Sequence, residues 1–276
     1  MQDKWLAAVA VIACISLTTL AGCGKGSDVE HRPEKPSTGQ GATSSSGQTE
    51  PAKDGKAGQG AERAGKTSGT KGEDEEEAEQ VKLDVELPEP TFAGTPSDLK
   101  GMHLDPDAGG PRGAVYAPEG VTLLSKGKPV STSSESIMGQ AEQVTDGIKK
   151  AGEGFYLTLP AGKEWVQVDL GNTYKLDAIL IWHYHASARV YHDVIVQVSG
   201  DKDFKKNVRK VFNNDYDNSS GLGKGDNYEY VETYEGKLVK PGGVKGSYVR
   251  VYTNGSTANE LNHFTEVEIY GRPATD

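Results

Sequence analysis

Residues 164–204 read EWVQVDLGNTYKLDAILIWHYHASARVYHDVIVQVSGDKDF, and the spacing of their apolar residues decides the fold. In 164–170, Val166, Val168 and Leu170 share one face while Trp165, Gln167 and Asp169 share the other, the pattern of a half-buried strand. Gly171-Asn172 is expected to end it. Residues 176–183 form a second apolar run rich in β-branched and aromatic residues, and 194–199 form a third with Val194, Val196 and Val198 in step. The connection at 184–193 is crowded with polar and aromatic groups. Further short runs, SYVRVY at 247–252 and TEVEIYG at 265–271, recur between turn signals, and no amphipathic helix of ordinary length interrupts them. Residues 120–273 are therefore predicted to be all-β, an antiparallel sandwich of about eight strands. Its predicted core is Trp165, Val166, Val168, Leu170, Ile179, Ile181, Val196, Val198, Val249, Val251, Val267 and Ile269.

Ordered landmarks in this region carry a resemblance. They are Gly127-Lys128-Pro129-Val130, the Thr145-Asp146-Gly147 turn, WVQVDLG, Gln197-Val198-Ser199 with the Asp201 turn, and the closing EVEIYG. Together they resemble the discoidin, or coagulation factor 5/8 type C, family, whose bacterial members resemble the family 32 carbohydrate-binding modules. The resemblance implies a galactose-binding-like jelly roll and a carbohydrate ligand held by groups gathered at one end of the sandwich. It also implies a structural calcium ion held by the Asp of the DG turn, here Asp146, and the Glu of the last strand, here Glu266. A hard cation wants six to eight oxygens, so loop carbonyls would complete the shell. Two departures stand out: Ile148-Lys149-Lys150-Ala151-Gly152 replaces the polar Thr and the Trp that usually follow the DG turn, and the insert at 213–227 is long and rich in Gly and Asn.

The N-terminus adds a second signal. Residues 5–20 are almost wholly apolar, short of the ~20 residues that span a bilayer, and run into Leu20-Ala21-Gly22-Cys23. That tetrapeptide resembles a bacterial lipobox, which makes 1–22 a lipoprotein signal peptide and Cys23 the acylated first residue of the mature chain. With Cys14 inside the signal, the exported part has no disulfide. The expected location is the cell envelope, at the outer membrane or the outer face of the cytoplasmic membrane, with permanent anchoring through the acyl chains. Residues 23–80 lack large apolar residues at any regular period and read as a disordered tether. A P-loop pattern within it, Gly60 to Thr67, has neither the preceding strand nor the following helix that such a loop needs. Residues 81–119, interrupted by prolines, read as an extended arm across the module that adds at most an edge strand.

The formal net charge of −10 and the lack of a basic stripe with interleaved aromatics argue against nucleic acid as a partner. There is no Gly-x-Ser-x-Gly elbow, no His-Glu-x-x-His helix and no mature-chain Cys to pair with a His, so no enzyme activity is expected. His183, His185 and His192 lack the convergent, oriented spacing that zinc demands, and surface or ligand-contacting roles are the plainer reading. Asp215, Asp217, Ser219 and Asp226 imitate an EF-hand loop, yet the glycine comes one place late and no helices flank it.

Sugar recognition needs planar hydrogen-bonding groups for hydroxyls and aromatic faces for C–H surfaces. His185, Arg189, Tyr191 and His192 offer both within one loop, with Tyr216, Asn254, Asn262 and His263 as neighbours from later loops. Plainer readings stand beside these: Arg189 paired with Asp193, Tyr191 in the core, Glu266 facing solvent next to Val267. The expected function is a non-catalytic envelope lipoprotein that binds carbohydrate. Its alternatives are an adhesive or structural protein that binds another envelope protein, and an accessory subunit of an envelope enzyme.

Overall fold

A computed structural model of the chain describes residues 79–92, 99, 103–106 and 111–274. The signal segment, Cys23, nearly all of the tether and parts of the arm, Pro96 among them, lie outside the described residues. Among the described residues no helix is long and apolar enough to cross a membrane.

The strands in chain order are β1 (Gln80–Lys82), β2 (Tyr116–Pro118), β3 (Thr122–Leu123), β4 (Val130–Thr132), β5 (Leu157–Leu159), β6 (Glu164–His183), β7 (Ile195–Ser199), β8 (Arg209–Asn213), β9 (Lys237–Val239), β10 (Val244–Thr253) and β11 (Asn262–Pro273), with one 3-10 turn at Ala141–Thr145. Each ladder between them is antiparallel. The predicted sandwich is therefore the observed one.

β6 organises it, and here the expectation of two strands broken at Gly171-Asn172 is corrected. A single strand of 20 residues runs through both layers. Gly171 takes a φ of +82°, where its lack of a Cβ removes the steric cost, and the Asp169 carboxylate accepts its N–H at 2.8 Å. The strand bends there instead of ending. Its first half pairs with β4 and β10, and β7 and β8 continue that layer. The second half pairs with β11 and β9, while β3 and β5 extend β11. Val166, Val168, Val196, Val249 and Val251 of one layer share a core cluster with Ile179, Ile181, Val267 and Ile269 of the other. Each fully buried side chain of this size contributes roughly 1.5–3 kcal/mol.

Trp165 is the exception among the predicted core residues. It lies half-buried on the outer face, where the Arg250 guanidinium sits 4.1 Å from its ring and 4.2 Å from that of Phe204. The parity of the strand sends it there, opposite Val166.

The arm has a larger role than an edge strand. β1 and β2 pair with each other, and Leu83, Val115 and Ala117 cover Ala178, Leu180, Trp182 and Tyr270 on the outer face of the second layer. This explains why 178–182 is continuously apolar, since that stretch is buried on both faces. Arg112 fastens the arm, its N–H donating to Glu235 Oε2 at 2.7 Å and its guanidinium to the Glu235 carbonyl at 3.2 Å. Gly236 completes the seat: its φ is +68°, and a Cβ would come within 2.6 Å of the Trp182 indole.

Candidate functional site

The site is built where β6 runs out. Continued alternation turns His183 and His185 inward and leaves Tyr184 half-exposed. His183 is fully buried, its Nδ1 2.9 Å from Glu232 Oε2 and its ring stacked on Tyr191 at 4.4 Å between centroids. The Tyr191 hydroxyl hydrogen-bonds His263 Nδ1 at 3.1 Å. Burial pushes the Tyr191 hydroxyl far above the ordinary phenol range. His263 moves the other way, to about 4, because burial and then the neighbouring Arg189 and His183 disfavour its cation. At neutral pH it is an uncharged group with one ring nitrogen already engaged.

Over this buried layer lies Arg189, only 8% exposed. Its guanidinium carbon stands 4.4 Å from the centre of the Tyr184 ring, and Nη2 donates to Ser187 Oγ at 2.8 Å. Its Nε has no hydrogen-bond partner. Among the described residues the six ion pairs within 4.0 Å do not include Arg189. Glu232, whose N–H binds the Arg189 carbonyl at 2.8 Å, turns its carboxylate to His183 instead. Tyr156, half-exposed, sets its ring edge-on to Tyr184 at 5.0 Å and to His263 at 5.5 Å. Tyr156, Tyr184, Ser187, Arg189 and His263 thus make one polar-aromatic patch, and its donors are fixed by packing.

The residues expected from sequence separate into three groups. Arg189 and His263 join the patch, with Tyr191 directly beneath as a core residue. His192, Tyr216 and Asn254 form a second group at the 213–229 loop: His192 lies 3.5 Å from Glu229, the Tyr216 ring packs tilted against His103 of the arm at 4.0 Å between centroids, and Asn254 donates to Asp193 at 2.8 Å. The bond to Glu229 raises the pKa of His192.

The third group lies buried within the fold, away from the patch surface. His185 is fully buried and donates through Nε2 to the Lys149 carbonyl at 2.9 Å. Asn262 is fully buried and uses its whole amide, accepting from Thr253 Oγ1 and the Gly255 N–H and donating to the Pro160 and Gly162 carbonyls. Asn262 has no group left for a ligand, and the remaining ring nitrogen of His185, Nδ1, is buried without a partner. Asp193, the expected partner of Arg189, accepts from Ser219 and Asn254. Tyr156 and Tyr184 were missing from the expected set. Strand parity, with His183 inward, was the available signal for Tyr184; for Tyr156, which meets it from before β5, the sequence held none.

The cation implied at Asp146 and Glu266 meets a different chemistry. Asp146 is exposed and its carboxylate accepts the Ile148 N–H at 2.7 Å. Glu266 is buried and accepts the Gly147 N–H at 3.0 Å, and burial pushes its carboxyl up to about 8. Between the DG turn and β11 lies an ammonium: Lys149 Nζ is 2.6 Å from Glu268 Oε1, both side chains almost wholly buried, and the Tyr270 hydroxyl donates to Glu268 Oε2 at 2.8 Å. A donor set with a buried ammonium beside it, Asp146 exposed and both loop N–H groups already taken by its carboxylates, does not fit a divalent cation. Elsewhere, Asp193, Asp215 and Asp217 bring ligand atoms within 4.8 Å of one another, and the carboxylates of Asp215 and Asp217 accept N–H groups of their own turn.

No family model matches the chain, and no curated protein matches it. Among solved structures it is similar to a family 89 glycoside hydrolase from Clostridium perfringens in complex with 2-acetamido-1,2-dideoxynojirimycin, at 18% identity and a TM-score of 0.43 over 55% of this chain. The match spans only 15% of that hydrolase. It is also similar to CpGH89CBM32-4 of the same organism, in complex with GlcNAc-α-1,4-galactose, at 13% identity and a TM-score of 0.41, covering 56% of this chain and 97% of that one. A fucose-binding module of Streptococcus pneumoniae matches at 15% identity and a TM-score of 0.36, covering 54% and 97%.

Proposed function

We propose that the module is a non-catalytic carbohydrate-binding domain, carried at the bacterial cell envelope by an acylated Cys23. The observation that supports this reading is the fixed patch of Tyr156, Tyr184, Arg189 and His263. Two half-exposed phenol rings offer apolar surface to sugar C–H groups, and the guanidinium lying over Tyr184 supplies a fixed positive charge beside them. The buried layer of Tyr191, His183 and Glu232 holds these groups in place, so little ordering cost falls on binding. On this reading the task the resemblance gives to calcium, tying the DG turn to the last strand, falls to Lys149.

A glycan array probed with the chain tests the proposal. Binding to a defined group of glycans, lost in Tyr184→Ala while folding is kept, is the expected result. Absence of glycan binding, with capture of an envelope protein that survives Tyr184→Ala, would favour the adhesive reading. Hydrolysis of any glycan, abolished by one substitution in the module, would contradict the non-catalytic part.

A further inference from the structure

We infer that the glycan recognised by this patch is acidic, with a sugar carboxylate as the partner of Arg189. The inference rests on the carbohydrate reading and starts from an electrostatic imbalance. A guanidinium cannot lose its charge at any physiological pH. Burying a cation is costly unless an anion and hydrogen bonds compensate, and proteins therefore pair such groups. Arg189 is 8% exposed, has no carboxylate within 4.0 Å among the described residues and leaves Nε without a partner.

The same molecule shows what compensation looks like. Lys149, equally buried, has Glu268 at 2.6 Å. At Arg189 the one carboxylate in the layer beneath, Glu232, is turned to His183, and the groups in contact add no negative charge: His263 is neutral, Tyr191 keeps its proton, and Ser187 and Tyr184 contribute a hydroxyl and a ring face. The patch is therefore a desolvated positive site flanked by two phenol rings. A neutral sugar would hydrogen-bond the guanidinium and leave its charge alone. A carboxylate satisfies both, and its planar oxygens match the guanidinium edge. The ring that bears the carboxylate would lie against Tyr156 or Tyr184.

The test is an array in which every uronic or sialylated glycan is accompanied by its neutral counterpart, with sulfated glycans as a third arm, probed with the chain at low and high salt. Carboxylate-bearing glycans should exceed their counterparts roughly tenfold or more, the scale of a charge-assisted bond against a neutral one. The excess should shrink at high salt and vanish in Arg189→Met, and Arg189→Lys should keep only part of it. Equal binding of acidic and neutral glycans would overturn the inference and leave the carbohydrate reading standing. Preference for sulfated glycans alone would overturn the assignment to carboxylate. Failure of all three arms would remove both readings. The wild-type comparison needs no variant, so misfolding of an Arg189 substitution would not rescue the inference.

Discussion

Lys149 and Arg189 are two cations buried to almost the same degree, 7% and 8% exposed, and treated in opposite ways. Lys149 meets Glu268 at 2.6 Å, and its carbonyl accepts from His185, so one residue pins the DG turn both to β11 and to the loop after β6. Arg189 meets the Tyr184 ring, the Ser187 hydroxyl and, within 4.0 Å among the described residues, no carboxylate. A buried charge with its counter-ion in the chain belongs to the fold. One without a counter-ion stores unfavourable energy that a ligand can release.

The largest expected effect breaks the first half of this contrast. Lys149→Met strands Glu268 and should cost about 3–5 kcal/mol, the scale measured when one member of a buried pair is removed. Chemical denaturation would read it as a lower midpoint with an unchanged slope. A loss under 1 kcal/mol would show that the ammonium is not the clip.

Glu266 supplies the next effect, through pH. Its carboxyl is raised by burial from 4.5 to about 8, so the folded chain holds a proton that the unfolded chain releases. This contribution is fully present below about pH 4.5 and is lost as pH rises toward 8. Glu266→Gln keeps an acceptor for the Gly147 N–H and should flatten the decline, leaving the variant on the order of 2–4 kcal/mol more stable than the wild type at pH 8.5. Parallel melting curves from pH 5 to 8.5 would contradict the assignment.

Tyr184→Ala should weaken glycan binding by about 1–3 kcal/mol, measured by titration calorimetry, with a smaller effect on stability because the ring is half-exposed. The smallest effect expected is none. Calcium and a chelator should give the same melting temperature, since an ion bound only by the folded state would raise it and Lys149 already fills that role. A calcium-dependent rise would return Asp146 and Glu266 to the account as ligands.

The sandwich was legible because alternation is a local property: Val166, Val168 and Leu170 declare an inward face whatever lies across from them. The 178–182 run gave less, since a stretch buried on both faces reads only as apolar. Its second cover comes from Leu83, Val115 and Ala117, at a sequence distance that no local pattern records. Gly171 misled for a related reason, because glycine marks a bend and an end with the same letter.

The site was legible in composition and not in role. His185, Arg189, Asn262 and His263 were equally good sugar contacts on chemistry alone. What separated them was the depth of burial and, for Asn262, a completed set of hydrogen bonds, which depend on Lys149, Pro160 and Tyr156 arriving from elsewhere. His185→Ala is accordingly expected to destabilise the fold where Arg189 variants alter binding. The lysine after the DG turn stood out in sequence as a departure. Its meaning came only with Glu268 opposite.

The most direct measurement is the stability of Arg189→Met, without sugar, beside that of Lys149→Met under the same conditions. Removing an unpaired buried charge relieves its desolvation cost and gives up one ring contact and one hydroxyl bond, so the account predicts Arg189→Met within about 1 kcal/mol of the wild type, or above it, while Lys149→Met falls by several. A comparable loss in both variants would mean that Arg189 is a structural cation like Lys149, and would remove the ground for assigning it to a ligand.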